Sequence, residues 1–204
     1  LTSAEGLKLP EIVDGCLFLS GLTSAEGLKL PEVIGGDLWL SGLTSAEGLK
    51  LPEDVLGYLD LSGLTSAEGL KLPGHVGGFL NLSGLETTDG LDLARRVITG
   101  DLLLRGLSDL GGWWELPEEV GGRLELTAVE RISGHWELPR SVGKDIWLTR
   151  MGAAELQEAR DNCSYPGNIK PFKLFRCCKK SNWNSKSRTT HIIKVTFFKE
   201  FNRQ

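Results

Sequence analysis

The sequence predicts a mainly β protein, a solenoid that rises by one coil every 21–22 residues with two short strands in each coil. Three observations predict it. The stretch LTSAEGLKLPE stands word for word at Leu1, Leu22 and Leu43 and returns at Leu64 with Gly74 in place of the last Glu; self-similarity at such a period marks a stacked repeat. Each unit carries two Leu-x-Leu alternations, the pattern of a half-buried strand. Most of the 26 Gly fall at fixed places in the unit, as turn punctuation does. A coil this short cannot bury its own Leu set, so stability has to come from stacking like rows on one another.

In the first unit, Leu7-Lys8-Leu9 and Leu17-Phe18-Leu19 are the expected strands, with Leu facing inward. Pro10 between them opens an expected tight turn, where its fixed φ helps and its missing N–H costs little, and Val13 points back to the core. Gly15 bends the chain into the second strand. Thr-Ser-Ala-Glu after Leu22 has the form of a capping box, Thr23 capping while Glu26 reaches back, and Gly27 ends that single helical turn. Leu1, Leu7, Leu9, Val13, Leu17 and Leu19, with Ala4, fill the interior.

Later units drift from this pattern. The fifth, from Leu85, replaces Pro by Ala94 and gains a residue, expected near Ile98-Thr99. The sixth gains one near Gly112-Trp113. Trp114 and, one coil on, Trp136 take an inward Leu place, as a widening core would allow. Seven repeats thus span 1–150. From Met151 the run AAELQEARDNC lacks Gly and favours helix, and Asn168 to Phe172 can add a strand, so 151–172 is expected to form a helix-plus-strand cap over the last Leu row.

Residues 173–204 carry nine Lys/Arg against Glu200 alone, a net +8 that leaves −12 for the remainder of a chain whose net charge is −4. This basic tail has no repeat register, although His191 to Phe198 alternates like a strand. Three readings stay open for it: a disordered extension, a contact to nucleic acid or anionic membrane by charge alone, or sequence foreign to the ancestral gene. No apolar run is long enough to span a membrane as a helix. The four Cys (Cys16, Cys163, Cys177, Cys178) form no disulfide framework, which leans towards a reducing, cytoplasmic setting. The chain opens in mid-array on Leu1 without a signal-peptide pattern, as a fragment or processed product would, and secretion stays undecided. The uncapped first coil, with its Leu row and unpaired strands, is expected to self-associate.

The Leu-x-Leu strands with Leu at short, regular spacing resemble the leucine-rich repeat of the short-period bacterial type. The GxLxL step also looks like the L domains of receptor ectodomains. The resemblance covers Leu1 to about Phe172. It implies a right-handed solenoid that binds proteins or glycans. Ser20-Gly21, and likewise Ser41-Gly42, Ser62-Gly63 and Ser83-Gly84, stand where that family carries an Asn ladder, which implies a straighter stack than a horseshoe.

No constellation for catalysis can be assembled. His75, His135 and His191 lie far apart, there is no GxSxG, P-loop or GxGxxG, and no cofactor or metal is expected. Asn81-Leu82-Ser83 and Asn162-Cys163-Ser164 match the glycosylation acceptor pattern. The informative feature is where near-identical units differ. Their second strands offer two outward columns: Cys16, Asp37, Tyr58, Phe79, Asp101, Arg123, Asp145, and Phe18, Trp39, Asp60, Asn81, Leu103, Glu125, Trp147. Drift at unconstrained sites favours small polar residues, whereas this face gathers aromatics among acids. Phe18, Trp39, Tyr58 and Phe79 are therefore candidate apolar anchors of a protein or glycan site, with Asp37, Asp60 and Asn81 as polar partners. The alternative is a repeat segment of a larger enzyme or surface protein whose chemistry lies outside this chain. On the other predicted strand the outward Lys8, Lys29, Lys50 and Lys71 read as a solvated face offset by Glu5, Glu26, Glu47 and Glu68.

Overall fold

The computed structural model describes residues 2–132, 135–137, 139–148 and 193–196. The expected cap over 151–172 and most of the basic tail lie outside the described residues. Among those described there is no helix.

One sheet of seven parallel strands stacks β1 (Ile12–Val13), β3 (Val33–Ile34), β5 (Asp54–Val55), β7 (His75–Val76), β9 (Val97–Ile98), β13 (Glu119–Val120) and β17 (Ser141–Val142). A second sheet stacks β2 (Leu17–Phe18), β4 (Leu38–Trp39), β6 (Leu59–Asp60), β8 (Leu80–Asn81), β10 (Leu102–Leu103), β14 (Leu124–Leu126) and β18 (Asp145–Leu148), all parallel. Parallel pairing in strict coil-to-coil order makes the protein a β-solenoid. β19 (Ile193–Thr196) adds to the second sheet, antiparallel to β18, so part of the predicted alternation in the tail is a strand.

The register steps by 21 residues through the first four coils (Val33↔Asp54, Asp54↔His75) and by 22 thereafter (His75↔Val97, Val97↔Glu119). In the second sheet the inward Leu N–H groups donate to the following coil, as Leu38 N–H does to the Tyr58 carbonyl at 2.7 Å and Leu40 N–H to that of Asp60 at 2.9 Å. Inward rows of Leu, Val and Ile fill the interior: Leu22, Ile34, Leu38 and Leu40 in the second coil and their counterparts above are buried. In the first coil Leu7, Leu9, Val13 and Leu17 are only half-buried, since β1 and β2 end their sheets.

The first strand of the coil is not where the sequence reading placed it. Leu7-Lys8-Leu9 and its next four counterparts form no ladder; the strand lies after the Pro, at Ile12–Val13 and its equivalents. The reason is local. Leu28 N–H is taken by the Ala25 carbonyl at 3.0 Å, and the N–H groups of Leu7, Leu49, Leu70 and Leu91 are taken in the same way in their own coils, so this turn, more than the Pro31 that follows Leu30, keeps the segment out of a ladder. The β-branched pair beyond it can pair freely with the coils on either side. No tight turn follows the Pro.

The Thr-Ser-Ala-Glu segment is a turn and not a helical one. Ser24 Oγ accepts from Glu26 N–H at 3.1 Å, and Ala25 to Leu28 closes a β-turn around Gly27 at φ 73°. The Ser, not the Thr, is the local acceptor, and the same bond recurs at Ser3, Ser45 and Ser66.

The extra residue of the fifth coil is also displaced from its expected place. β9 already pairs 22 residues from β7, so the insertion precedes Val97 and does not follow Ile98. Arg95 absorbs it at φ 58°, flanked by Ala94 N–H on Asp92 Oδ1 at 3.1 Å. The insertion of the sixth coil lies as expected between Gly112, which keeps the turn position at φ 70°, and the buried Leu116. There the extra length lets strands form on the side that lacks them below. β11 (Asp109–Leu110) pairs with β15 (Arg131–Ile132), and β12 (Trp113–Glu115) with β16 (His135–Glu137), in a register that sets Trp114 beside Trp136. The side chains of those two Trp lie outside the described residues, as does their predicted place in the core.

Candidate functional site

The outward face of the second sheet carries the candidate residues. Inward Leu on both sides of positions 18 and 39 leaves the intervening side chain on the opposite face, and stacking in register aligns these residues into columns. The four predicted anchors come together into one patch. Phe18 and Trp39 stack with ring centroids 6.1 Å apart at 17°, Tyr58 and Phe79 stack at 4.1 Å and 16°, and Trp39 meets Phe79 edge-on at 6.3 Å. Phe18 is 69% exposed and Tyr58 41%, while Trp39 and Phe79 are half-buried. The Trp39 indole N–H is shielded from water and has no hydrogen-bond partner.

The predicted polar partners have structural duties that the sequence reading did not assign. Asp37 Oδ1 accepts from the Tyr58 N–H of the next coil at 2.9 Å. Asp60 Oδ1 accepts from Ser62 N–H at 3.0 Å, and Asn81 Oδ1 from Ser83 N–H at 3.1 Å, both Asx turns that lead the chain out of the strand. Asn81 is half-buried and commits one oxygen to its own turn. Asp60 is only 6% exposed, which corrects its expected place on an open surface. It forms no ion pair among the described residues.

Higher on the same face lies a cluster that was present in the columns but not picked out. Arg123 donates from Nε to Asp101 Oδ2 at 3.1 Å, with Nη2 2.9 Å from the same oxygen and Nη1 3.6 Å from Glu125 Oε1. Arg105 Nε donates to Glu125 Oε2 at 2.7 Å. The Arg123 guanidinium lies 5.3 Å from the centroid of the Trp147 ring, a cation–π distance. Glu125 is 1% exposed, a buried carboxylate held by two arginines. The signal for this cluster was the change of column composition after Asp101, from aromatics to alternating charge.

The Lys8, Lys29, Lys50 and Lys71 column is exposed, as expected, but the neighbouring Glu column does not offset it by ion pairing: none of these Lys has an ion-pair partner among the described residues. His75 stands 3.8 Å from Asp54 on the first sheet, away from the aromatic patch. No group of three or more His, Cys, Asp or Glu is placed to hold a metal ion among the described residues, and no helix among them is long and apolar enough to cross a membrane.

Compared with protein-family models, with curated proteins and with solved structures, the chain matches none.

Proposed function

We propose that this solenoid is a non-catalytic recognition scaffold that binds a protein or glycan ligand through the outward face of its second sheet, in the manner of leucine-rich-repeat arrays. The observation that carries this reading is the merging of Phe18, Trp39, Tyr58 and Phe79 into one partly exposed patch on stacked strands. Parallel strands hold these rings at fixed spacing, so little side-chain entropy is lost on binding, and a few aromatics can supply most of the energy.

The test is a glycan array beside a peptide array, probed with the wild type and with a Trp39→Ala/Tyr58→Ala variant. The expected result is a ligand whose binding falls at least about tenfold in the variant, the size of a hot-spot loss. Equal binding by both proteins would remove this face as the site.

A further inference from the structure

One arrangement of two carboxylates recurs on this face, once bridged by a cation and once, among the described residues, without one. In the upper copy Asp101 and, one coil on in the other column, Glu125 are bridged by Arg123. In the lower copy Asp37 and, one coil on in the other column, Asp60 occupy the matching places. The backbone geometry is the same in both: Asp101 Oδ1 accepts from Arg123 N–H at 2.8 Å, and Asp37 Oδ1 accepts from Tyr58 N–H at 2.9 Å. Tyr58 stands where Arg123 stands. Among the described residues the lower carboxylates lack the cation that the upper ones have.

Two further facts bear on what belongs there. Asp60 is almost fully buried with no cationic partner among the described residues, and a buried carboxylate is costly unless it is paired. Around it the face presents Trp39, Tyr58 and Phe79 and no basic side chain; the columns of the first four coils hold no Lys or Arg. Aromatic rings beside carboxylates attract a cation both by the ring quadrupole and by charge, and a planar guanidinium can stack on a ring while hydrogen-bonding to carboxylates. In the upper copy Arg123 does this on Trp147, one coil above Glu125; the matching place below is Asn81, and the rings of the lower copy are those of Trp39 and Tyr58.

We infer that the lower copy is a docking site for a guanidinium of a partner protein: an arginine of an exposed basic segment that enters between Asp37 and Asp60 and lies against Tyr58 and Trp39. This rests on the reading of the face as a recognition surface and adds the chemistry of its partner. The upper copy is the site closed in cis; the lower copy is the site kept for a ligand. Asp37 and Asp60 each commit one oxygen to a backbone N–H, which fixes the carboxylates in place and leaves the second oxygen of each for the incoming cation.

The test uses the full chain in a calorimetric titration with the peptide acetyl-(Gly-Arg)4-amide. Its control is the same peptide with citrulline, a neutral isostere, for arginine. The expected result is that the Arg peptide binds and the citrulline peptide binds at least about tenfold more weakly, and that Asp37→Asn and Asp60→Asn each weaken the Arg peptide about tenfold. Asn keeps the Oδ1 acceptor for Tyr58 N–H or Ser62 N–H, so these variants hold the turn geometry, and a thermal melt checks that they do. Asp54→Asn, which removes one carboxylate from the other sheet, is expected to leave the affinity unchanged. The inference is overturned if the citrulline peptide binds as well as the Arg peptide, or if Asp54→Asn weakens binding as much as Asp60→Asn. A ligand found on the arrays that needs Trp39 and Tyr58, with no affinity for the Arg peptide, overturns the guanidinium assignment and leaves the recognition face standing. A ligand bound equally by the double variant overturns the face itself.

Discussion

Gly63 sits where two coils touch. A Cβ there would press into the carbonyl oxygens of Ser41 and Leu43 in the coil below, and Gly42, Gly84 and Gly106 meet the same obstacle in their own coils. At these four positions the backbones approach too closely for a Cβ, which is why Gly follows the Ser or Arg there; in the sixth coil Ala128 takes the equivalent place. Gly69 differs. It is held at φ 76° with nothing within 4 Å of an added Cβ, so only conformation constrains it. Gly69→Ala should cost about 1 kcal/mol from the left-handed backbone alone. Gly63→Ala should cost about 3 kcal/mol or more, because packed backbone has to move. Urea denaturation of the two variants side by side checks the order, and equal losses would contradict the close contact. At this scale the candidate site was half legible. Aromatic side chains in a polar column announce themselves, and the four anchors do share one patch. The duties of Asp60 and Asn81 did not show, because an Asx turn depends on the backbone two residues on and leaves no mark in the column pattern.

Elements followed the period more faithfully than the alternation. The second strand was readable from Leu-x-Leu between a Gly bend and Ser-Gly, and the inward place of Val13, Ile34 and Val55 from their spacing. The first strand was misread because Leu28-Lys29-Leu30 alternates as well as any strand, and the β-turn bond that takes Leu28 N–H, which leaves no mark in the alternation, keeps it out of the ladder. The fifth-coil insertion was misplaced for a related reason: a long polar side chain gives no sign that it can take a left-handed φ, yet Arg95 does so at 58°. Its position is testable by deletion. Removing Arg95 should return the coil to 21 residues, keep Ile98 buried and leave the melting temperature within a few degrees of the wild type, with relief of about 1 kcal/mol of backbone strain partly offsetting the altered turn. Had the extra residue lain after Ile98, the same deletion would slip β9 by one place, exposing Ile98 and burying Val97. A large drop in melting temperature on deletion would favour that second arrangement.

Taken whole, the molecule is a one-dimensional stack, and its contacts run from each coil to the next. Leu61 lies in the middle of an inward row with Leu40 below and Leu82 above, all fully buried. Its N–H donates to the Asn81 carbonyl at 2.9 Å, just as Leu40 donates to Asp60 and Leu82 to Leu103 at the same distance. Leu61→Ala would open a cavity costing about 2–5 kcal/mol. In a globular core that loss is shared by the whole domain. Here it should stay near its origin, because stability is close to a sum of coil and interface contributions. Native-state hydrogen exchange of the variant should therefore show the amides of Leu40, Leu61 and Leu82 losing most protection, while that of Leu104, which donates to the Glu125 carbonyl two coils higher, keeps it. Equal loss at Leu61 and Leu104 would show that the stack unfolds as a single unit. Local unfolding would in turn bear on recognition. The aromatic patch spans the first four coils, so softening the row beneath Asp60 should loosen the proposed ligand face while leaving the Arg123–Glu125 cluster in place.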